Sequence, residues 1–219
     1  MNIAIIGSNR GIGLELVKQF CDEDFNVYAF CRKKTKQLEE ISPYRIIEEF
    51  DVTEKDRLSD KLSHGMPEKF DFIINVSGIL KEDNEQSFEK DLINQFVVNA
   101  IGPINIFRAF SPLLTQGSKF AVLTSQLGSL ANNESGGRFG YRMSKAAANM
   151  ACKNLAIEGL KDKVTVIMLH PGYVEADMTD HNADITTTQS AKGLIKIIKE
   201  ITSDQSGTFW HVNGQELPW

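Results

Sequence analysis

The chain has 219 residues, of which 42% are hydrophobic, and a formal net charge of −5. This length allows one large domain or two small ones with a substantial core. The negative charge, with no run of like charges longer than residues 32–34, argues against a nucleic-acid-binding groove, and three widely separated cysteines indicate neither a disulfide framework nor a zinc site.

The first residues of the chain carry no basic leader and only a short apolar run. We also expect no apolar stretch of about 18 residues, the length that a membrane-spanning helix needs. Unpaired cysteines fit a reducing compartment. The sequence therefore predicts a cytoplasmic protein without a membrane segment.

A strand, a glycine-rich turn and a helix are predicted at the start of the chain. Residues 3–6 are apolar, residues 7–13 read Gly-Ser-Asn-Arg-Gly-Ile-Gly, and residues 14–20 have helical periodicity. Gly7 would supply an unusual backbone angle, Gly11 would let the backbone approach a pyrophosphate, and Gly13 would allow close packing of helix on strand. The pattern predicts a nucleotide-binding loop, with phosphate on the helix N-terminus. Its spacing is G-x-x-x-G-x-G, not the commoner G-x-G-x-x-G.

Basic residues follow the second predicted strand, residues 26–31. Arg32, Lys33 and Lys34 stand where a site for NAD usually has an acidic residue for the ribose hydroxyls. A guanidinium suits a 2′-phosphate by charge and by its forked donors, and Arg10 in the glycine loop could reach the same group. This favours NADP(H) over NAD(H). The alternative is a solvated basic turn.

Strands and helices alternate along the rest of the chain. Further strands are predicted at residues 45–50, 70–78, 120–124, 164–169 and 208–212, and helices at 54–64, 88–114, 141–160 and 189–201, with a bend at Gly102 and Pro103 in the second of these. Such alternation predicts a single α/β domain with a parallel sheet. Residues 126–140 and 177–188 lack apolar periodicity, and we expect a substrate loop and a lid there.

Tyr141 and Lys145 are four residues apart in a predicted helix and therefore share one face. A neighbouring ammonium favours the phenolate and would lower a tyrosine pKa from about 10. This would make Tyr141 usable as a general acid or base. The alternative is an ordinary solvated pair on a helix surface.

The motifs resemble, in order and spacing, those of the classical short-chain dehydrogenase/reductase family over residues 2–179. They are residues 7–13, Asp51 with Val52, Asn75-Val76-Ser77-Gly78, Asn99, Ser125, Tyr141 with Lys145, and Pro171-Gly172. The loop at 126–140 and the ending at 207–219 are most similar to the small carbonyl-reductase and C-factor-like branch. The resemblance implies a Rossmann fold, with a doubly wound parallel sheet of about seven strands, and an NAD(P)(H) cofactor.

The resemblance also implies an active site made of Asn99, Ser125, Tyr141 and Lys145. Ser125 and Tyr141 would donate to the carbonyl oxygen of the substrate, and Tyr141 would transfer the proton. Lys145 would hold the nicotinamide ribose and depress the Tyr141 pKa. Asn99 would hold a water that resupplies the proton, although it could equally cap a broken helix turn. Ser129 is an alternative to Ser125, because the spacing to Tyr141 is longer than usual.

Cofactor contacts are implied at the glycine loop, at the ends of later strands and after the sixth strand. The residues are Gly7, Ser8, Asn9, Arg10, Gly11, Ile12, Gly13, Arg32, Asp51, Val52, Asn75, Ser77, Gly78, Tyr141, Lys145, Pro171, Gly172 and Val174. Asp51 would bind the adenine amino group, Ile12 would line the nicotinamide pocket and Val174 would reach the carboxamide. No metal ligand set is expected. The chain departs from the family pattern at Ala176, where a Thr is common, and Thr179 could substitute.

The sequence thus predicts an NADPH-dependent oxidoreductase that reduces an aldehyde or ketone, or oxidises the corresponding alcohol. We expect a homodimer formed through the helices at 88–114 and 141–160. The alternative function is a cofactor-binding signalling or regulatory protein of the C-factor type with little turnover. His170 is interpreted as a packed residue at a strand end.

Overall fold

The computed structural model describes residues 1–175 and 183–219 of the chain. Its strands are β1 (Asn2–Ile6), β2 (Asn26–Phe30), β3 (Arg45–Ile47), β4 (Phe72–Asn75), β5 (Lys119–Leu123), β6 (Thr165–His170) and β7 (Phe209–His211). They form one seven-stranded sheet in the order β3-β2-β1-β4-β5-β6-β7, and every pair is parallel. The predicted doubly wound α/β fold is confirmed.

The helices that connect the strands cover both faces of the sheet. They are α1 (Gly11–Asp22), α2 (Lys36–Ile41), α3 (Lys55–Leu62), α4 (Phe88–Phe96), α5 (Gly102–Phe110), α6 (Phe139–Gly159) and α7 (Thr187–Glu200). The short helix α2 was not predicted from the sequence. It begins after Thr35, whose hydroxyl accepts a hydrogen bond from the Leu38 amide.

Alternate residues of each strand enter two separate hydrophobic cores. In β1, Ile3 and Ile5 belong to the core with Leu16 of α1, whereas Ala4 and Ile6 belong to the opposite core. Both sets are buried, so β1 is apolar without interruption, as expected for a parallel strand covered on both faces. Polar residues are therefore confined to the strand ends, where the site lies.

The long helix predicted at residues 88–114 is interrupted. A π-helical segment, Val97–Ile101, separates α4 from α5, and the Gly102 amide donates to the carbonyl of Val97, five residues earlier. Pro103 has no N–H to donate to the carbonyl of Asn99, four residues before it. The irregular turn therefore comes before Gly102 and Pro103, and Asn99 lies inside it.

The 26-residue helical stretch Phe88–Leu113 is long enough to cross a membrane, and an 18-residue window within it is apolar enough, with a mean hydropathy of 1.2. The expectation that the chain contains no such stretch is wrong. The core helix of a soluble protein passes the same test, and 44% of this window is buried inside the fold. Its apolar character is partly explained by packing of Ile106, Phe107 and Phe110 in the core.

Candidate active site

The four predicted catalytic residues meet at the carboxyl edge of the sheet. Ser125 follows β5, Tyr141 and Lys145 lie in the first turns of α6, and Asn99 lies in the π-helical segment; all four are buried. The Lys145 ammonium donates to the carbonyl of Leu123 over 3.1 Å and lies 5.7 Å from the Tyr141 ring centroid. The structure therefore brings these side chains into one cluster.

Burial controls the protonation of this cluster. Desolvation raises the pKa of Tyr141 to about 12, although a hydrogen bond with Ser125 and the positive charge of Arg138 act in the opposite direction. Desolvation also lowers the pKa of Lys145 to about 8. The expectation of a depressed Tyr141 pKa is wrong for this arrangement. The reason is that removing the phenolate from water costs more than Ser125 and the charge of Arg138 recover.

The Asn99 side chain ties two elements together. Its Oδ1 accepts from the Ile79 amide over 2.8 Å, and its Nδ2 donates to the Ile79 carbonyl and to Ser144 Oγ over 2.9 and 3.0 Å. These bonds join the segment after β4 to α6. The side chain does not cap its own helix, so that alternative is wrong.

The two candidate serines have different partners. Ser125 lies near enough to Tyr141 for its hydroxyl to act toward a lower Tyr141 pKa, and its Oγ accepts from the Leu127 amide over 3.2 Å. Ser129 Oγ accepts from the Asn132 amide, within its own loop. The geometry favours Ser125 as the serine that works with Tyr141.

The glycine loop has the shape that a phosphate site needs. Gly7 has a φ of +87°, and a Cβ on Gly13 would collide with the Gly7 carbonyl oxygen. Helix α1 has no side-chain cap and no acidic residue in its first turn. Its first amides are therefore suited to an anion. The fully buried Ser8 hydroxyl donates to the Phe30 carbonyl over 3.0 Å, which fixes the start of the loop to β2.

The loops after β1 and β2 are joined at the place predicted for the 2′-phosphate. Asn9 Nδ2 donates to the Lys33 carbonyl over 3.0 Å, and Thr35 Oγ1 donates to the Asn9 carbonyl over 2.9 Å. Lys34 is paired with two glutamates, at 2.8 and 3.7 Å. Arg32 and Lys33 are exposed and form no ion pair among residues 1–175 and 183–219.

The predicted adenine-side residues are largely held by protein contacts. Asp51 Oδ1 accepts from the amide and hydroxyl of Thr53 over 2.9 and 2.8 Å, and the Val52 carbonyl accepts from Asn105 over 3.0 Å. Asn75 is fully buried at the end of β4. Its Oδ1 accepts from Ser77, whereas its Nδ2 has no partner in the described part of the chain. This buried donor is available to a ligand at the sheet edge.

The segment after β6 is anchored on both sides of the residues that the structure does not describe. The Pro171 carbonyl accepts from Ser190 Oγ over 2.7 Å, and Gly172 has a φ of +86°. Val174 forms a bridge with Ile185. Ala176, Thr179 and the predicted lid up to residue 182 lie outside the described residues, and residues 187–188 belong to α7.

Acidic residues that the sequence analysis missed hold the start of α6. Asp83 Oδ2 accepts from the Phe139 amide over 3.0 Å, two residues before Tyr141. Glu82 pairs with Arg138 at 3.1 Å, and Arg138 has a left-handed backbone with a φ of +48°. These partners are 56 residues apart in the chain, so no local pattern could have joined them.

His170 is packed at the end of β6, as predicted. Its ring lies 4.9 Å from the ring of His211 on β7, centroid to centroid. Burial lowers the pKa of His170 to about 3, so the imidazole is neutral at physiological pH.

The fold and the buried cluster define a Rossmann-type oxidoreductase. The family model of short chain dehydrogenases matches residues 1–187, and the chain belongs to this family. Two curated relatives are informative. A 1-hydroxy-2-glutathionyl-2-methyl-3-butene dehydrogenase from Rhodococcus sp. is 36% identical over 99% of both chains. The C-signal protein of Myxococcus xanthus is 37% identical over 59% of this chain and 79% of its own length.

Solved structures with the same fold include two carbonyl reductases. The enzyme Sniffer of D. melanogaster is 26% identical, with a TM-score of 0.90 over 100% of this chain and 99% of the other. A carbonyl reductase from Pseudomonas aeruginosa PAO1 in complex with NADP is 26% identical, with a TM-score of 0.80 and the same coverage. The similarity to carbonyl reductases agrees with the predicted branch of the family.

Proposed function

We propose that the protein is an NADPH-dependent oxidoreductase that reduces an aldehyde or ketone, or oxidises the corresponding alcohol. The observation that carries this proposal is the buried cluster of Ser125, Tyr141 and Lys145 at the carboxyl end of β5. Ligands of open α/β sheets bind outside this edge. Relatives named as a dehydrogenase and as carbonyl reductases support the same reaction class.

Two hydroxyl groups would act on the substrate oxygen. When hydride reaches a carbonyl carbon, the oxygen gains negative charge and must be stabilised and protonated. Ser125 and Tyr141 are neighbours in the buried cluster, and both hydroxyls could donate to that oxygen. Because burial raises the Tyr141 pKa to about 12, the phenol stays protonated and remains a proton donor. Lys145, with its ammonium near the ring, would stabilise the phenolate that results.

The residues present fit a dinucleotide. The uncapped amides of α1 suit the pyrophosphate, and the unpartnered Asn75 Nδ2 lies at the sheet edge nearby. The bound nicotinamide would supply the hydride. Arg32 and Lys33 would hold a 2′-phosphate.

Replacing Tyr141 by Phe tests the proposed reaction. Turnover of a panel of aldehydes and ketones, followed as NADPH oxidation, should fall by at least about 10³-fold, because the proton donor is lost. NADPH binding, measured by fluorescence titration, should remain. Unchanged turnover in this variant would sink the proposal.

Replacing Arg32 by Asp tests the cofactor preference. The affinity for NADPH should fall about tenfold or more, since a charge-assisted contact becomes a repulsion, while NADH affinity changes little. Lys36→Asp is a matched control, because Lys36 is an exposed cation paired with Glu40 on α2. Tighter binding of NADH than of NADPH by the unmodified protein would contradict the preference.

The alternative is a cofactor-binding signalling protein, and its support is the similarity to the C-signal protein. That function predicts NADPH binding without turnover of any carbonyl on a broad panel. The intact Ser125, Tyr141 and Lys145 cluster favours the enzyme. Rapid turnover of a single small substrate would decide against the signalling protein.

A further inference from the structure

The segment after β7 folds back along that strand. The Leu217 amide donates to the Phe209 carbonyl over 2.7 Å, and Trp210 and Glu216 form an antiparallel bridge. The Trp219 ring then stacks on Phe209, with centroids 5.8 Å apart and planes at 20°. Phe209 is fully buried, so this stack attaches Trp219 to the core.

From this position Trp219 reaches the substrate loop, residues 126–140. Its main-chain oxygen accepts a hydrogen bond from the Ala131 amide over 2.9 Å. Residues 130–139 are all exposed, so little packing holds this part of the loop. A contact with a residue fixed to the core therefore restricts Ala131 strongly.

Hydrogen bonds between residues close in sequence connect Asn132, next to Ala131, to Ser125. The Asn132 amide donates to Ser129 Oγ over 3.2 Å, and the Ser129 amide donates to the Gln126 carbonyl over 3.0 Å. The next link is the Leu127 amide, which donates to Ser125 Oγ over 3.2 Å. A shift in the position of Ala131 can therefore alter the position of Ser125 through these hydrogen-bonded turns.

The far end of the loop is held by a different residue. Arg142 donates to the Gly136 carbonyl over 3.1 Å and to Ser135 Oγ over 2.8 Å. On the side of Ser125 the loop has two contacts. Asn149 on α6 donates to the Gly128 carbonyl over 3.5 Å, and Trp219, in the segment after β7, holds Ala131 further along the loop.

We propose that Trp219 is a positioning residue of the active site: it fixes the Ser125 half of the substrate loop to β7 and so sets the affinity for the carbonyl substrate. Trp219 acts through Ala131, not on the reacting atoms. This inference rests on the proposed function, in which the loop forms a wall of the carbonyl site. Cofactor affinity should not depend on Trp219.

The test compares Trp219→Ala, Trp219→Phe and a control, Trp210→Phe. Trp210 is the other of the two tryptophans, lies on β7, and donates its Nε1 to Thr208, so it does not hold the loop. The first measurement is hydrogen exchange of peptides covering residues 126–133. Trp219→Ala should speed exchange in these peptides by about tenfold. Trp219→Phe should exchange at nearly the rate of the unmodified protein, because the new ring can still stack on Phe209.

The second measurement is steady-state kinetics with the best carbonyl of the panel. Trp219→Ala should raise KM by up to about tenfold while the dissociation constant of NADPH is unchanged. The KM of Trp219→Phe should be close to that of the unmodified protein. The Trp210 control should leave both quantities unaltered.

Exchange in Trp219→Ala equal to that of the unmodified protein would overturn the inference, whether or not a substrate is found. Faster exchange with an unchanged KM would also overturn it. If no carbonyl is turned over by the unmodified protein, the proposed reaction fails, and the exchange result still shows whether Trp219 holds the loop.

Discussion

Desolvation acts in opposite directions on the two ionisable groups at the centre of the site. It raises the pKa of Tyr141 to about 12 and lowers that of Lys145 to about 8, so both pKa values move toward the neutral form, although Lys145 is still an ammonium at pH 7. The sequence correctly placed Tyr141 and Lys145 beside each other, because residues four apart share one face of a helix. It gave the wrong direction for the Tyr141 pKa, because the helical spacing does not show how deeply the pair is buried.

Lys145→Met should stabilise the protein without cofactor at pH 7 by about 2 kcal/mol. Below pH 8 the folded protein holds a buried ammonium at Lys145. Methionine removes the desolvation cost of this charge and also loses the hydrogen bond to the Leu123 carbonyl, and the first effect is the larger. Between about pH 8 and the unfolded-state value of 10.5 the unfolded chain binds more protons at Lys145 than the folded one. The stability of the unmodified protein therefore rises with pH in this window, and the advantage of the variant shrinks.

Urea unfolding from pH 6.5 to pH 10 measures this difference directly. Lys192→Met, at an exposed position of α7, serves as the control and should show a difference that does not change over the same window. A destabilised Lys145→Met variant at pH 7 would show that Lys145 makes a net favourable contribution to folding, contrary to the prediction.

At the scale of elements, α6 is positioned by residues outside it. Asn99 bonds to Ser144 on α6, and Asp83 accepts from the Phe139 amide in its first turn. The residue before the helix, Arg138, provides no side-chain cap. The N-terminus of the helix that carries Tyr141 and Lys145 is therefore held by the segment after β4.

Asp83→Ala should lower the stability by about 1 kcal/mol, as loss of a helix cap does, and thus the Tm by about 2–4 °C. It should also lower kcat several-fold, because Tyr141 lies two residues from the freed amide. Asp83→Asn keeps an acceptor oxygen, so its Tm and kcat should lie between those of Asp83→Ala and of the unmodified protein.

Glu85→Ala changes an exposed acid in the same segment and is the control. Differential scanning calorimetry and kcat on the same preparations measure both effects. An unchanged Tm in Asp83→Ala would show that the bond adds nothing.

The sequence predicted most elements but not their long-range contacts. Apolar runs and helical periodicity located the seven strands and the major helices. The strands are apolar throughout because a core covers each face of the sheet, and each major helix turns one apolar face toward a core. Helix α2 was missed because only Leu38 in it is buried, which leaves almost no periodic signal. The contacts of Asp83 with Phe139 and of Trp219 with Ala131 join residues 56 and 88 positions apart, and no local pattern contains them.

At the scale of the whole molecule, one apolar surface has no partner within the described chain. On α6, Met143, Met150 and Ile157 recur every seven residues and are 47%, 63% and 58% exposed. Ile93 on α4 is 60% exposed. Helices α4 and α6 pack against each other, so these residues can contribute to a single face. Such a face is typical of a protein interface.

We expect this face to pair with that of a second copy, as a homodimer with twofold symmetry. Met150→Lys should then shift the protein to monomers, because the lysine would be placed in an apolar interface next to its symmetry-related copy. Tyr44→Lys changes an equally exposed residue (65%) beside β3, on the far edge of the sheet, and should leave the dimer intact. Size-exclusion chromatography with light scattering, over a hundredfold range of concentration, gives the mass of each variant. Turnover per chain should be retained in the monomer, since the Tyr141 site is built from one chain. An unmodified protein that is monomeric at every concentration would refute this arrangement.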